Sequence, residues 1–191
     1  IWDSKAAGYL LYFPMSEGAK GTKLYGARAG KDLKKWAKPK AVADWGMDVA
    51  DVAIYPCADG GYVALFKNED NADGICVSKT ADLAGGWSKP TVITPEEGKK
   101  VEAPAAFRLV GGEGWQIGYV CPDAAPNDRY RVATADEGFT QTRRPQYLEG
   151  VYGTDKGSFL RLTEAEYRKL QAWSDAQEKD HLAASVKNPV F

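Results

Sequence analysis

Gly61-Tyr62-Val63-Ala64-Leu65-Phe66 decides the fold, because the chain carries it three times. Gly8-Tyr9-Leu10-Leu11-Tyr12-Phe13 precedes it, and Gly114-Trp115-Gln116-Ile117-Gly118-Tyr119-Val120 follows. The lead aromatics Tyr9, Tyr62 and Trp115 are spaced by 53 and 53 residues. A fixed period of this size is the signature of a repeat architecture.

Each copy sits in the same local grammar. A β-rich run comes before it (52–57, 105–110) and is joined to it by a Gly-rich turn, Asp59-Gly60-Gly61 or Gly111-Gly112-Glu113-Gly114, as in a hairpin. A polar loop follows, then a third run at 23–28, 74–78 and 129–133. That run ends at a turn centred on Asp32, Asp82 or Asp136, and a weaker fourth run such as 90–94 comes after. Four antiparallel strands per ~50 residues is the unit of a β-propeller blade. The expectation is an all-β chain of three such blades, the first lacking most of its innermost strand, with part of a fourth around 158–162. Thr163-Glu164-Ala165-Glu166 then reads as a helix capping box, and Tyr167, Leu170 and Trp173 follow at helical spacing. This predicts a helix over 164–179, reaching Ala184 at the furthest, with His181 near its end in a surface role. The predicted division is a partial propeller over 1–162, with a helix and tail over 163–191 that pack on its side.

The bulk composition narrows the function. The chain has 25 basic and 26 acidic residues among 191, so no basic excess attracts a polyanion, and nucleic acid is not expected as a partner. No run approaches the ~18 apolar residues of a membrane helix, so no membrane partner is expected either. Cys57, Cys76 and Cys121 lack metal spacing and read as small buried hydrophobes, with one disulfide left open. A single histidine gives little support to His-dependent chemistry. Ile1-Trp2-Asp3 opens without Met in what reads as mid-strand, so the expectation is a processed or truncated chain.

In a propeller each innermost strand begins near the axis, so a residue just ahead of it points into a shared funnel. Those positions hold Asp51, 11 residues before Tyr62, and Glu102, 13 before Trp115. Glycoside hydrolysis needs such convergence: one carboxylic acid protonates the leaving oxygen, and one carboxylate activates water or attacks carbon. Two solvated loop acids is the bland alternative; Pro104 behind Glu102 tips the balance by restricting the backbone there. Trp45, in the loop leading to Asp51, offers a face for sugar stacking, and Asp48 a hydrogen-bond partner for substrate. Trp115, at the head of a strand, reads as core.

Glu102-Ala103-Pro104 before a β-run, Asp51 before another, and the Asp-Leu…Trp turns resemble glycoside hydrolase family 43 and its relatives. The stretch Gly157-Ser158-Phe159-Leu160-Arg161-Leu162-Thr163-Glu164-Ala165-Glu166 is similar to that family's closing segment. The resemblance covers most of residues 1 to 170. It implies a five-bladed propeller, here incomplete, acting on arabinose- or xylose-containing polysaccharide or oligosaccharide. It implies that Glu102 is the general acid and Asp51 the residue that orients it and modulates its pKa. The family's base has no counterpart; its blade would lie ahead of Ile1. Lys156 stands where the family commonly has a His near an axial ion. No cofactor is therefore required, an axial calcium is disfavoured, and Lys156 is a candidate for a fixed positive charge in the substrate site. A polysaccharide-degrading enzyme would be secreted or periplasmic, and the missing part of the protein, or another copy of the chain, would be a partner.

Two alternatives stay open. One is a carbohydrate-binding propeller without catalysis. The other is a sialidase-like propeller, because Thr134-Ala135-Asp136-Glu137-Gly138-Phe139-Thr140 fits most of the sialidase Asp-box. In that stretch Asp136 is expected to cap its own turn, and Arg143-Arg144 to be solvated rather than part of an arginine cluster.

Overall fold

The computed structural model describes residues 1–18, 21–108, 114–125, 129–147 and 156–187. The expected turn residues Gly111, Gly112 and Glu113, Asp155, and the side chain of His181 lie outside them. Two compact units result, Ile1–Phe159 and Leu160–Phe191.

The first unit is three four-stranded antiparallel sheets. One is built in order from β1 (Trp2–Asp3), β2 (Gly8–Ser16), β3 (Thr22–Ala29) and β4 (Lys40–Ala43). The next contains β5 (Val49–Pro56), β6 (Tyr62–Asn68), β7 (Asn71–Thr80) and β8 (Thr91–Ile93). The last contains β9 (Glu102–Phe107), β10 (Trp115–Val120), β11 (Tyr130–Ala135) and β12 (Thr142–Tyr147). Each repeat thus folds as one blade, and the first has only a two-residue innermost strand. The partial fourth blade does not form: residues 156–163 contain no strand. Phe159 instead packs against Phe107 at 4.2 Å between ring centroids, beside Tyr130.

The repeated glycine has a steric cause. A Cβ would stand 2.6 Å from the carbonyl oxygen of Ala29 at Gly8, 3.0 Å from that of Thr80 at Gly61, and 2.5 Å from that of Ala135 at Gly114. In each blade the second strand begins pressed against the end of the third, and only glycine leaves room.

The hydrophobic alternation then stacks the sheets. Val63, Leu65, Ile75 and Val77 face the third sheet in one core cluster. Tyr62, Ala64, Phe66 and Cys76 face the first sheet in another, with Leu10 and Leu24. The second sheet is therefore apolar on both faces, each large side chain contributing about 1.5–3 kcal/mol on burial. By register Tyr9, Leu11 and Phe13 of the first sheet match Tyr62, Ala64 and Phe66. Their face lies away from the second sheet, and Leu11 and Met15 on it are exposed.

A second tie links the innermost strands. The Ile54 amide of β5 donates to the Tyr12 hydroxyl at 2.9 Å, and the Ala106 amide of β9 donates to the Tyr55 hydroxyl at 2.8 Å. These are equivalent amides on the free side of each strand, each satisfied by a tyrosine of the preceding sheet. The three cysteines are unbridged, with Cys76 and Cys121 buried.

The second unit contains α1 (Glu164–Lys187), whose capping box forms as expected. The Glu166 amide donates to Thr163 Oγ1 at 3.3 Å, and the Thr163 amide to Glu166 Oε2 at 2.8 Å. The helix runs past both expected ends, since nothing before Pro189 breaks it. Tyr167, Leu170 and Trp173 are exposed along it.

Candidate active site

Asp51 and Glu102 do not precede their strands; they lie in them, at β-bulges. The β5–β6 register shifts between Ala50 and Ala53, and the β9–β10 register between Gly118 and Val120. Asp51 (φ 50°) and Ala103 (φ 49°) take the left-handed conformation at these bulges. Asp tolerates that region better than most residues, and Ala brings little bulk to it. Such strained bulges re-aim side chains, and they cluster near functional sites. The register also corrects the expected equivalence: Asp51 matches Ala103, and Glu102 matches Ala50, so the two acids are one residue out of phase.

That offset brings them into one network. Asp51 Oδ2 accepts the amide of Ala103, the residue after Glu102, at 3.2 Å. Asp51 Oδ1 accepts from Lys156 Nζ at 2.6 Å. Glu102 Oε1 accepts from Lys67 Nζ at 2.7 Å, and Lys67 also pairs with Glu69 at 3.0 Å. The Lys156 side chain is 65% exposed, whereas those of Asp51, Glu102 and Lys67 are 16%, 29% and 11% exposed. The hydrogen bond to Asp51 raises the Lys156 pKa against partial desolvation, and the charge of Glu102 adds to it. Burial alone would lower the Lys67 pKa; hydrogen bonds to Glu102 and Glu69 outweigh it and raise it. Both lysines therefore stay cationic at neutral pH.

Lys67 is the member that sequence reasoning missed. It lies one residue before the end of β6, so its number alone gives no reason to set it beside Glu102. The other candidates separate from the network. Trp45 is half-buried and stacked on Phe66, with centroids 4.2 Å apart, and its indole NH donates to Ser78 at 3.2 Å. Its ring belongs to the core between the first two sheets. The Asp48 carboxylate lies beside Gly21, and its carbonyl accepts the Glu69 amide at 2.8 Å. Asp136 accepts from the amides of Gly138, Thr140 and Gln141 and from the Thr140 hydroxyl, which closes its turn. Trp115 is buried. Among the described residues, Arg28, Arg108 and Arg131 pair separately with Asp3, Glu137 and Glu96, and no three His, Cys, Asp or Glu side chains gather as a metal site. Shallow depressions of about 280 and 460 Å³ lie beside Asp136 and beside Gly61, at the opposite ends of the sheets from Asp51 and Glu102. They are open surface hollows, and the carboxylate network is the stronger candidate on chemical grounds.

By sequence the chain matches no family model and no curated protein. By fold it is similar to solved glycoside hydrolases. A thermostable family-43 glycoside hydrolase aligns over 82% of this chain and 55% of its own, at 16% identity and a TM-score of 0.59. The chain has an all-β, propeller-like fold. An endo-arabinase from Bacteroides thetaiotaomicron aligns over 78% of this chain and 53% of its own, at 17% identity and a TM-score of 0.59. An α-L-arabinofuranosidase from Podospora anserina, solved with cellotriose, aligns over 74% and 47%, at 12% identity and a TM-score of 0.56. The chain spans about half the length of each of these proteins.

Proposed function

We propose that this chain carries part of the active site of a glycoside hydrolase acting on an arabinose- or xylose-containing oligosaccharide or polysaccharide. One observation carries the reading: the hydrogen bond from the Ala103 amide to Asp51, which fixes the backbone at Glu102 from the neighbouring sheet. Glu102, partly exposed, is the general acid that gives its proton to the glycosidic oxygen. Asp51 orients it. Lys156, the most exposed member of the network, meets the substrate. The fold of the arabinofuranosidase and the endo-arabinase supports the substrate class. The base is a further carboxylate. Asp3, on the innermost strand of the first sheet, is not that group, because it is buried and bound to Arg28 and the amides of Lys5 and Ala6.

A second reading, sugar binding without hydrolysis, is favoured by one feature: each acid is already paired with a lysine. Turnover of aryl α-L-arabinofuranosides and β-xylosides, with calorimetric binding of arabino- and xylo-oligosaccharides, separates the two. Under the first reading Glu102→Gln loses about 10²–10⁴ in kcat. Equal turnover by wild type and Glu102→Gln overturns the acid role, and binding without turnover by a protein complete with the blade that carries the base selects the second reading.

A further inference from the structure

We infer that Lys67 is the positioning residue of this site, holding the Glu102 side chain in place while Asp51 holds its backbone. The inference rests on the reading of Glu102 as the functional acid. Its geometry stands independently of that reading.

Lys67 reaches from β6 to β9 and makes a 2.7 Å contact with Glu102 Oε1. Glu69, just past the end of the same strand, also holds the ammonium, at 3.0 Å. A lysine side chain left free would keep several rotamers; here two carboxylates and burial to 11% exposure restrict it. Glu102 meanwhile starts its strand beside the left-handed Ala103, where the ladder is broken by the bulge. Ladder pairing therefore does little to fix the direction of its side chain, and Lys67 is the group that does. Asp51 and Lys67 both belong to the second sheet, so the neighbouring sheet holds both the side chain and the backbone at the acid of the third. Lys67 touches Glu102 and acts through it.

The test compares Lys67→Met and Lys67→Arg with wild type in two measurements. Crystal structures read the place of the Glu102 carboxyl, and steady-state kinetics on an aryl arabinofuranoside read kcat and KM separately. The expected result is that Glu102 leaves its place in Lys67→Met, kcat falls at least tenfold, and KM stays within about twofold. Lys67→Arg restores most of both. If Lys67→Met does not fold, Lys67→Gln, with a neutral donor in place of the ammonium, takes its place in the same comparison. A Glu102 carboxyl unmoved in the Met or Gln variant overturns the inference, whether or not the protein turns over any glycoside. A wild-type protein complete with the blade that carries the base and still without turnover, whose Glu102 nevertheless moves on loss of Lys67, overturns the hydrolase reading alone.

Discussion

Tyr55→Phe removes one oxygen atom and should test how the innermost strands are tied together. The Ala106 amide points away from β10 and donates to the Tyr55 hydroxyl at 2.8 Å. Ala106 is 3% exposed, so the amide has lost its bulk water. Without the hydroxyl, a buried donor is left unpaired, which costs about 1–3 kcal/mol. The phenyl ring still packs on Trp115, 5.8 Å away between centroids, so no cavity adds to the cost. For a chain of this size each kcal/mol moves Tm by about 2–4 °C, and a central value of about 2 kcal/mol predicts a fall of about 4–8 °C. Tyr167→Phe, on an exposed helical position, is the control and should stay within about 0.5 kcal/mol of wild type. The assay is thermal unfolding followed by circular dichroism at neutral pH. If Tyr55→Phe melts together with the control, the amide has another partner, and the tyrosine tie is not what secures β9 near Glu102.

The repeated glycines should respond in the order of their crowding. Gly114→Ala suffers the closest approach and a left-handed φ of 75°, Gly8→Ala a nearly equal approach, and Gly61→Ala the mildest, so loss of Tm should rank in that order, at about 1–3 kcal/mol from overpacking. Acid sensitivity should trace partly to Asp136: burial raises its pKa, but hydrogen bonds from Gln141, Thr140 and Gly138 outweigh this and hold it below the ordinary 3.8. Its stabilising effect is therefore full above the unfolded value and lost as pH falls through the lower folded one, so between pH 5 and pH 2 wild-type Tm should drop more steeply than that of Asp136→Asn.

How far the fold could be read from sequence follows from what the repeat encodes. Gly8, Gly61 and Gly114 recur because one close approach recurs, and the apolar alternation after them recurs because sheets stack on both faces. Those constraints are local and periodic, so spacing reveals them. The site depends on departures from the period. Both blades share one bulge, with left-handed backbone at Asp51 and Ala103, but the acids occupy adjacent positions of it, Glu102 matching Ala50, and no composition signal marks that offset. Trp45 looked like part of a funnel because it leads toward Asp51, yet its ring stacks on Phe66 in the core between the first two sheets. Residues 158–162 read as part of a fourth blade but form no strand, and Phe159 packs on Phe107 instead.

The tyrosine ties mark the boundary between the two kinds of information. Ile54 and Ala106 are equivalent amides, yet Tyr12 sits in a second strand and Tyr55 in a first strand. The repeat encodes the need, a free amide on each innermost strand, and leaves the choice of the accepting hydroxyl to the packing of the previous sheet. Lys67 and Asp51 follow the same rule at the other end of those strands. Each reaches from the second sheet to a group of the third that its own ladder leaves unfixed, the side chain of Glu102 and the amide of Ala103. The candidate site therefore rests on contacts between blades, which a period along the chain cannot specify.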